Sequence, residues 1–245
     1  MTQIDHIGDG IYRFCTLPAS SSYDIGFNQF LIHGERPALI HTGYYDSFAD
    51  VRRAVAEIMD PAKLEYIVIL HFEADECGGM GRFLAEAPQA VLVCAEINAA
   101  LNVSHWDHAG PIQGVRDGHV VDLGTHKLRF LETPHVHHWD SMMVFEDATG
   151  SLFSSDLFIQ PGDQPAIVRE DLSQEMCTVY REAGIFAAEE PVRRVVNRLE
   201  QLEANWIHPM HGGSLPREVF PKYVRALREE PFAYNGKLFG RTLPT

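Results

Sequence analysis

The stretch Tyr66-Ile-Val-Ile-Leu70, followed at once by His71-Phe-Glu73-Ala-Asp75-Glu76-Cys77-Gly-Gly79, decides the fold. An apolar run this short, with no polar interruption, is expected of a strand covered on both faces, the environment of a parallel sheet packed between other layers. Metal-ligating and acid–base side chains begin where that strand stops. Strand ends are where a rigid scaffold presents functional groups.

The same grammar recurs along the chain. Residues 91–94, 120–123 and 127–133 read as strands, the last running into Pro134-His-Val-His137-His138-Trp-Asp140. Residues 142–145 and 151–155 read as a hairpin about Asp147-Ala-Thr-Gly150 that delivers Asp156. Upstream, residues 10–17, 28–33 and 38–42 read as strands separated by turn-forming sequence. Phe48, Val51, Val55, Ile58 and Met59 recur at helical spacing, with Ser47 and Asp50 placed as a capping box. Residues 191–202 carry Val192, Val195, Val196, Leu199 and Leu202 on one helical face and lead to Trp206-Ile-His208-Pro-Met-His211-Gly212. Residues 216–229 form the last predicted helix. Two groups of strands with helices between and after them predict helix, sheet, sheet and helix layers in one domain over residues 1–245.

Composition excludes several function classes. Of 245 residues 45% are hydrophobic, enough for a packed core. Lys+Arg 20 against Asp+Glu 34 gives a net charge of −14, which argues against nucleic acid and anionic membrane surfaces as partners. No apolar run approaches the roughly 20 residues that span a bilayer. The start MTQIDHIGDG lacks the basic and apolar regions of a secretory signal, so a cytoplasmic location is expected. Cys15, Cys77, Cys94 and Cys177 are scattered without a CxxC pair and read as reduced, packing thiols. No βαβ run with a phosphate-cradling loop is evident, so no bound FMN is expected.

Ligand-type side chains gather at four strand ends: His71, Glu73 and Asp75; His137; Asp156; and His211. Any one segment alone is an ordinary polar loop, but together they point to a metal site. Three imidazoles with three carboxylates make a harder, more anionic set than a histidine-dominated zinc site, which favours iron or manganese. The carboxylates also lower the cost of an oxidised cluster, an advantage that redox-inert zinc does not use. Asp75 is placed near the N-terminus of a helix expected to run into residues 80–87, where a carboxylate suits the helix dipole.

The order and context of these motifs resemble the metallo-β-lactamase superfamily, which implies an α/β (α+β) fold, a four-layer αββα sandwich with a dinuclear metal site at one edge of the sheets. Most hydrolases of that superfamily carry HxHxDH here. His71-Phe-Glu73-Ala-Asp75 instead resembles the HxExD variant of flavodiiron proteins and their stand-alone oxygen-binding di-iron relatives. Thr133-Pro-His-Val-His137-His-Trp-Asp140-Ser-Met142 is similar to their TPxxHxxDSM segment, Leu152-Phe-Ser-Ser-Asp156 to LFSxD, and His208-Pro-Met-His211-Gly212 to xPxHG. The resemblance covers nearly the whole chain. It implies that His71, Glu73 and His137 bind one metal, that Asp75 and His211 bind the second, and that Asp156 bridges them.

Two departures stand out against that pattern. Glu76 occupies a place where the family often has His, so the second metal either gains a carboxylate or leaves a position to solvent. His41-Thr42-Gly43 stands where many members have Asp-Thr-Gly, which makes His41 a candidate group behind the ligands. His208 is a second such candidate. His137 and His138 adjoin, and the ungapped match over Thr133 to Met142 selects His137. His135 and Trp139 are expected to shape the pocket, and His105 and His108 either cap the metals or form a solvated loop.

The resemblance implies two iron ions, with zinc or manganese as alternatives, that bind and reduce dioxygen or nitric oxide. Family enzymes draw electrons from a flavodoxin-like domain. None is expected in this chain, so the electrons come from an external donor, or the protein senses or scavenges oxygen with little turnover. A homo-oligomer is compatible with the sequence. The rival reading is a dinuclear hydrolase of an ester, thioester or lactone, in which metal coordination lowers the pKa of water to about 7. A sensory binding module is a third, because fold does not dictate function.

Overall fold

In the computed structural model, which describes residues 2–17, 25–106 and 110–242, strands β1 (Thr2–Gly8), β2 (Ile11–Thr16), β3 (Phe27–Ile32), β4 (Ala38–Ile40), β5 (Tyr66–Val68), β6 (Val91–Ala95) and β7 (Ile112–Val115) make one sheet in chain order. Pairing is antiparallel from β1 to β4 and parallel from β4 to β7. The second sheet takes the order β13-β12-β11-β10-β9-β8, from β8 (Val120–Asp122), β9 (Lys127–Glu132), β10 (Met142–Glu146), β11 (Ser151–Ser155), β12 (Trp206–Pro209) and β13 (Leu215–Pro216). Only β11 and β12 are parallel there.

Strand periodicity sorts side chains into layers, because successive residues point to opposite faces. Phe30 and Ile32 of β3 join Val68, Val93, Phe130, Val144 and Phe153 between the two sheets. Leu31, between them, turns outward to join Leu39, Ile67, Val51, Val55 and Phe83. This outer layer lies under helices α1 (Phe48–Ile58) and α3 (Met80–Glu86), with the single turn α2 (Ala74–Cys77) before α3. On the far side Met143, Leu152 and Ile207 pack against Met176, Tyr180, Val196, Tyr223 and Leu227. These come from α5 (Ser173–Ala183), α6 (Glu189–Leu199) and α7 (Phe220–Glu229). Each large apolar side chain so buried contributes roughly 1.5–3 kcal/mol. The result is the expected αββα sandwich.

Several boundaries differ from the sequence reading. Ser47 makes no capping hydrogen bond; its hydroxyl donates to the carbonyl of Tyr44 at 3.0 Å. The helix predicted over residues 216–229 starts at Phe220, because Leu215 and Pro216 pair with β12. The helix expected to carry Asp75 into residues 80–87 is split at Gly78-Gly79, and a Cβ at Gly79 would stand 2.6 Å from the carbonyl oxygen of Thr42. Strands β1 and β7 and helices α4 (Glu96–Leu101) and α5 were not anticipated. A two-stranded hairpin, β14 (Lys237–Leu238) and β15 (Arg241–Thr242), closes the described chain. Its residue Gly240 donates to the carbonyl of Glu182 on α5 at 2.8 Å. All four cysteines are free. No helix among the described residues is long and apolar enough to cross a membrane.

Candidate metal centre

The side chains singled out at four strand ends converge on one cluster. His71 leaves the end of the β5 segment and Asp156 follows β11, so neighbouring edges of the two sheets bring them together. His71 Nε2 lies 3.1 Å from Asp156 Oδ2, which is also 2.9 Å from His137 Nε2. Glu73 Oε2 completes this half, 3.4 Å from His71 Nε2 and 3.3 Å from His137 Nε2. The other oxygen of Asp156 serves the second half: Oδ1 is 3.2 Å from His211 Nε2, which is 3.4 Å from Asp75 Oδ2. The structure therefore brings the six predicted residues together, with Asp156 between two groups of donors.

Backbone and side-chain hydrogen bonds hold this arrangement from behind. The His211 loop is pinned by two buried side chains. Asn28 Nδ2 donates to the carbonyls of Pro209 and Gly212 at 2.9 and 2.7 Å, and Arg13 Nη2 donates to Gly212 at 3.0 Å. Gln160 bonds Gly213 in both directions. His211 Nδ1 donates to the carbonyl of Gly26 at 2.9 Å, which leaves Nε2 facing the cluster. The loop beyond Asp156 is fixed by Tyr180 of α5. Its hydroxyl donates to the carbonyl of Asp156 at 3.0 Å and accepts from the N–H groups of Phe158 and Ile159. Asp140 accepts from Phe72 N and Asn98 Nδ2, tying the His71 loop to α4.

Glu76 turns away from the Asp75–His211 half. Its Oε2 lies 2.6 Å from His71 Nδ1, and its Oε1 accepts from Ser155 Oγ at 2.8 Å, an oxygen that is itself 2.9 Å from His71 Nδ1. His41 sits behind it, with Nδ1 3.5 Å from Glu76 Oε1 and 3.2 Å from Met210 Sδ. His138 is half-buried, its Nε2 3.8 Å from Glu73 Oε2, so it borders the cluster more loosely than His137. His208 is separate: Ser214 and Ser151 take its two ring nitrogens at 2.8 and 3.1 Å. Burial lowers its pKa to about 3 and keeps it neutral. His135 and Trp139 stand exposed and outside the cavity lining, contrary to expectation. His105 is exposed at the end of a short 3₁₀ turn, and His108 lies outside the described residues.

The electrostatics of the cluster draw positive charge. Burial works against every imidazolium here, yet the carboxylates win. His137 is raised to about 9 by Asp156 and Glu73, and His211 to about 10 by Asp156 and Asp75. His71 is likewise held well above its ordinary value by Glu76 and Asp156. Hydrogen bonds from His137 and His71 pull Glu73 far below the usual carboxylate range. The same donors suit a cation: His71, Glu73, His137 and His138 present ligand atoms within 4.8 Å of one another. Asp156 Oδ1 is buried without an aligned hydrogen bond, an acceptor direction that a metal ion satisfies.

The cluster forms the floor of a cavity of about 530 Å³ whose walls include Ile25, Phe27, Tyr44, Ile159, Val179 and Phe239. Two residues missed by sequence reasoning matter here, Tyr44 on the wall and Tyr180 behind Asp156. The helical spacing of Met176, Cys177 and Tyr180 was the signal for the latter.

Known proteins share this fold. The rubredoxin oxygen:oxidoreductase of Desulfovibrio gigas superposes with a TM-score of 0.83 at 22% identity, over 94% of this chain and 62% of that one. The flavodiiron protein of Giardia intestinalis gives 0.81 at 20% identity, over 92% and 59%. In sequence, an anaerobic nitric oxide reductase flavorubredoxin of Salmonella arizonae is 30% identical over 160 residues, 63% of this chain and 33% of that protein. A nitric oxide reductase of Moorella thermoacetica is 30% identical over 171 residues, 65% of this chain and 43% of that protein. The chain thus spans less than half the length of these two curated relatives. Residues 25–212 match the family model described as ODP family beta lactamase, and the chain belongs to that family.

Proposed function

We propose that this chain is a dinuclear non-heme iron protein that binds and reduces dioxygen or nitric oxide with electrons from a separate donor. The observation that carries the reading is the division of Asp156, one oxygen turned to His71 and His137 and the other to His211. A carboxylate so placed suits a bridge between two ions. His71, Glu73 and His137 would hold one ion and Asp75 and His211 the other. When bound, two adjacent ferrous ions supply two one-electron reductants to one small ligand.

The chain's own groups do the rest. Glu73, Asp75 and Asp156 offset most of the charge of two ferrous ions and make an anionic, oxygen-rich donor set, which favours iron or manganese over zinc. The Gly26 carbonyl orients His211 through its Nδ1, and Ser155 Oγ, with the Glu76 carboxylate beside it, orients His71. Phe27, Ile159 and Val179 make the cavity wall above the cluster largely apolar. The names of the relatives, two nitric oxide reductases and an oxygen:oxidoreductase, support the choice of diatomic ligands.

The test is anaerobic iron loading with metal quantification, followed by exposure to dioxygen or nitric oxide. Two irons per chain and a change in the visible spectrum are expected, with Asp156→Asn loosening both ions and Glu73→Gln mainly one. Uptake of no more than one metal, or zinc-dependent ester or lactone hydrolysis with no oxygen or nitric oxide reaction of the iron form, overturns the proposal.

A further inference from the structure

We infer that the phenol of Tyr44 donates the hydrogen bond that a diatomic ligand receives above the metal centre, an inference that rests on the di-iron reading of the site. Tyr44 follows β4 through Gly43, whose φ of +75° lets the chain turn toward the cavity mouth. Among the described residues its hydroxyl is the only side-chain O–H group in the cavity lining. The other polar groups there are otherwise engaged. Glu73, Asp75, His137, Asp156 and His211 belong to the cluster, and Glu182 is paired with Lys237 at 2.7 Å. Among the described residues the phenol oxygen has no protein hydrogen-bond partner, so it is free to serve a ligand.

Its position selects one half of the centre. The Tyr44 ring lies 5.1 Å from that of Phe27, which in turn meets His211 edge-on at 4.9 Å. Tyr44 therefore stands on the Asp75–His211 side. That half has the fewest protein donors, Asp75, His211 and the shared Asp156, because Glu76 is turned back to His71. A diatomic held at the less filled half would carry negative charge on its outer atom, and a fixed O–H donor on the cavity wall would stabilise that charge. Burial, reinforced by Asp75 and Glu73, pushes the phenol up to about 12, so it keeps its proton at neutral pH. Carboxylates on the same floor cannot take this part, being acceptors only.

Tyr44→Phe removes one oxygen and leaves the ring packing, so it separates this role from a structural one. The native protein and the variant, both loaded anaerobically with iron, are compared for iron content, thermal midpoint, nitric oxide dissociation rate and N–O stretching frequency in H₂O and D₂O. Equal iron content and midpoint are expected, with nitric oxide leaving the variant about tenfold faster, the factor that about 1.4 kcal/mol represents. The solvent-isotope shift of the N–O stretch, present in the native complex, should vanish. Equal dissociation rates with the same isotope response overturn the inference, and so does loss of iron from Tyr44→Phe. If the native protein takes up iron but binds neither nitric oxide nor dioxygen, the di-iron reading itself fails, a result distinct from a nitric oxide complex indifferent to residue 44.

Discussion

Glu76 Oε2 lies 2.6 Å from His71 Nδ1, with both side chains shut off from solvent. A carboxylate behind a metal-ligating histidine fixes the ring and makes its other nitrogen a better donor, and loss of such a partner typically costs 10–100-fold in metal affinity. Glu76→Gln keeps an acceptor for Nδ1 and removes the charge, so a loss of about tenfold is expected, whereas Glu76→Ala should approach 100-fold. Chelator competition measures both. Unchanged iron affinity in Glu76→Ala would mean that Ser155 alone orients His71.

Metal uptake should release protons. His137 and His211, raised to about 9 and about 10 by their carboxylate neighbours against the effect of burial, carry protons at pH 7 that a metal ion must displace. Affinity therefore rises as pH increases from 6 toward 9 and falls in acid. Calorimetry in buffers of different ionisation enthalpy counts the protons directly. A binding constant that does not change with pH would contradict the charge state assigned to the cluster.

Away from the centre, Glu146 gives the fold a pH-sensitive point. Its buried carboxylate accepts from the N–H groups of Ala148 and Thr149 and from the Thr149 hydroxyl, closing the hairpin between β10 and β11 that positions Asp156. Burial raises its pKa, but these bonds and His126 outweigh it and bring it down from 4.5 to about 2. A depressed carboxylate contributes stability that is complete above pH 4.5 and is lost as pH falls toward 2. Glu146→Gln should cost about 1–2 kcal/mol at pH 7, and urea unfolding should show the gap narrowing progressively below pH 4.

The residues that gather in the cluster were largely legible, because buried strands such as Tyr66–Val68 are apolar runs and the polar residues at their ends stand out. What escaped lacks that contrast. Strand β1 reads TQIDHIG, an edge strand with polar residues on both faces and a glycine at its end. Arg13 is fully buried, although a charged residue in a strand ordinarily signals a solvent face; Asp5, Asn28 and the Gly212 carbonyl take its donors. The role of Glu76 depended on which way its side chain turned, a matter of tertiary contacts with His71 and Ser155 rather than of spacing. Tyr44 escaped for the same reason, since only the meeting of the β4 loop with Phe27 and His211 brings it to the cavity.

Glu73 separates the redox reading from the hydrolytic one. It replaces an imidazole of the HxHxDH pattern within the cluster, whereas Glu76, which replaces another, is turned back to His71; Glu73 Oε2 sits 3.4 and 3.3 Å from His71 and His137. If that charge serves an oxidised iron pair, Glu73→His makes the site softer and less anionic, so metal preference should move toward zinc and reoxidation of the reduced iron form by oxygen should slow. Ester or lactone hydrolysis should be absent from the native protein and no worse in the variant. A hydrolase with an incidental carboxylate behaves otherwise. Its native zinc form already cleaves esters, and Glu73→His leaves that activity unchanged or improves it. Parallel stopped-flow oxygen and ester assays on both forms, with metal content measured for each, distinguish the two outcomes. Unaltered oxygen reactivity of an iron-loaded Glu73→His protein would show that the third carboxylate does not set the redox behaviour of the centre.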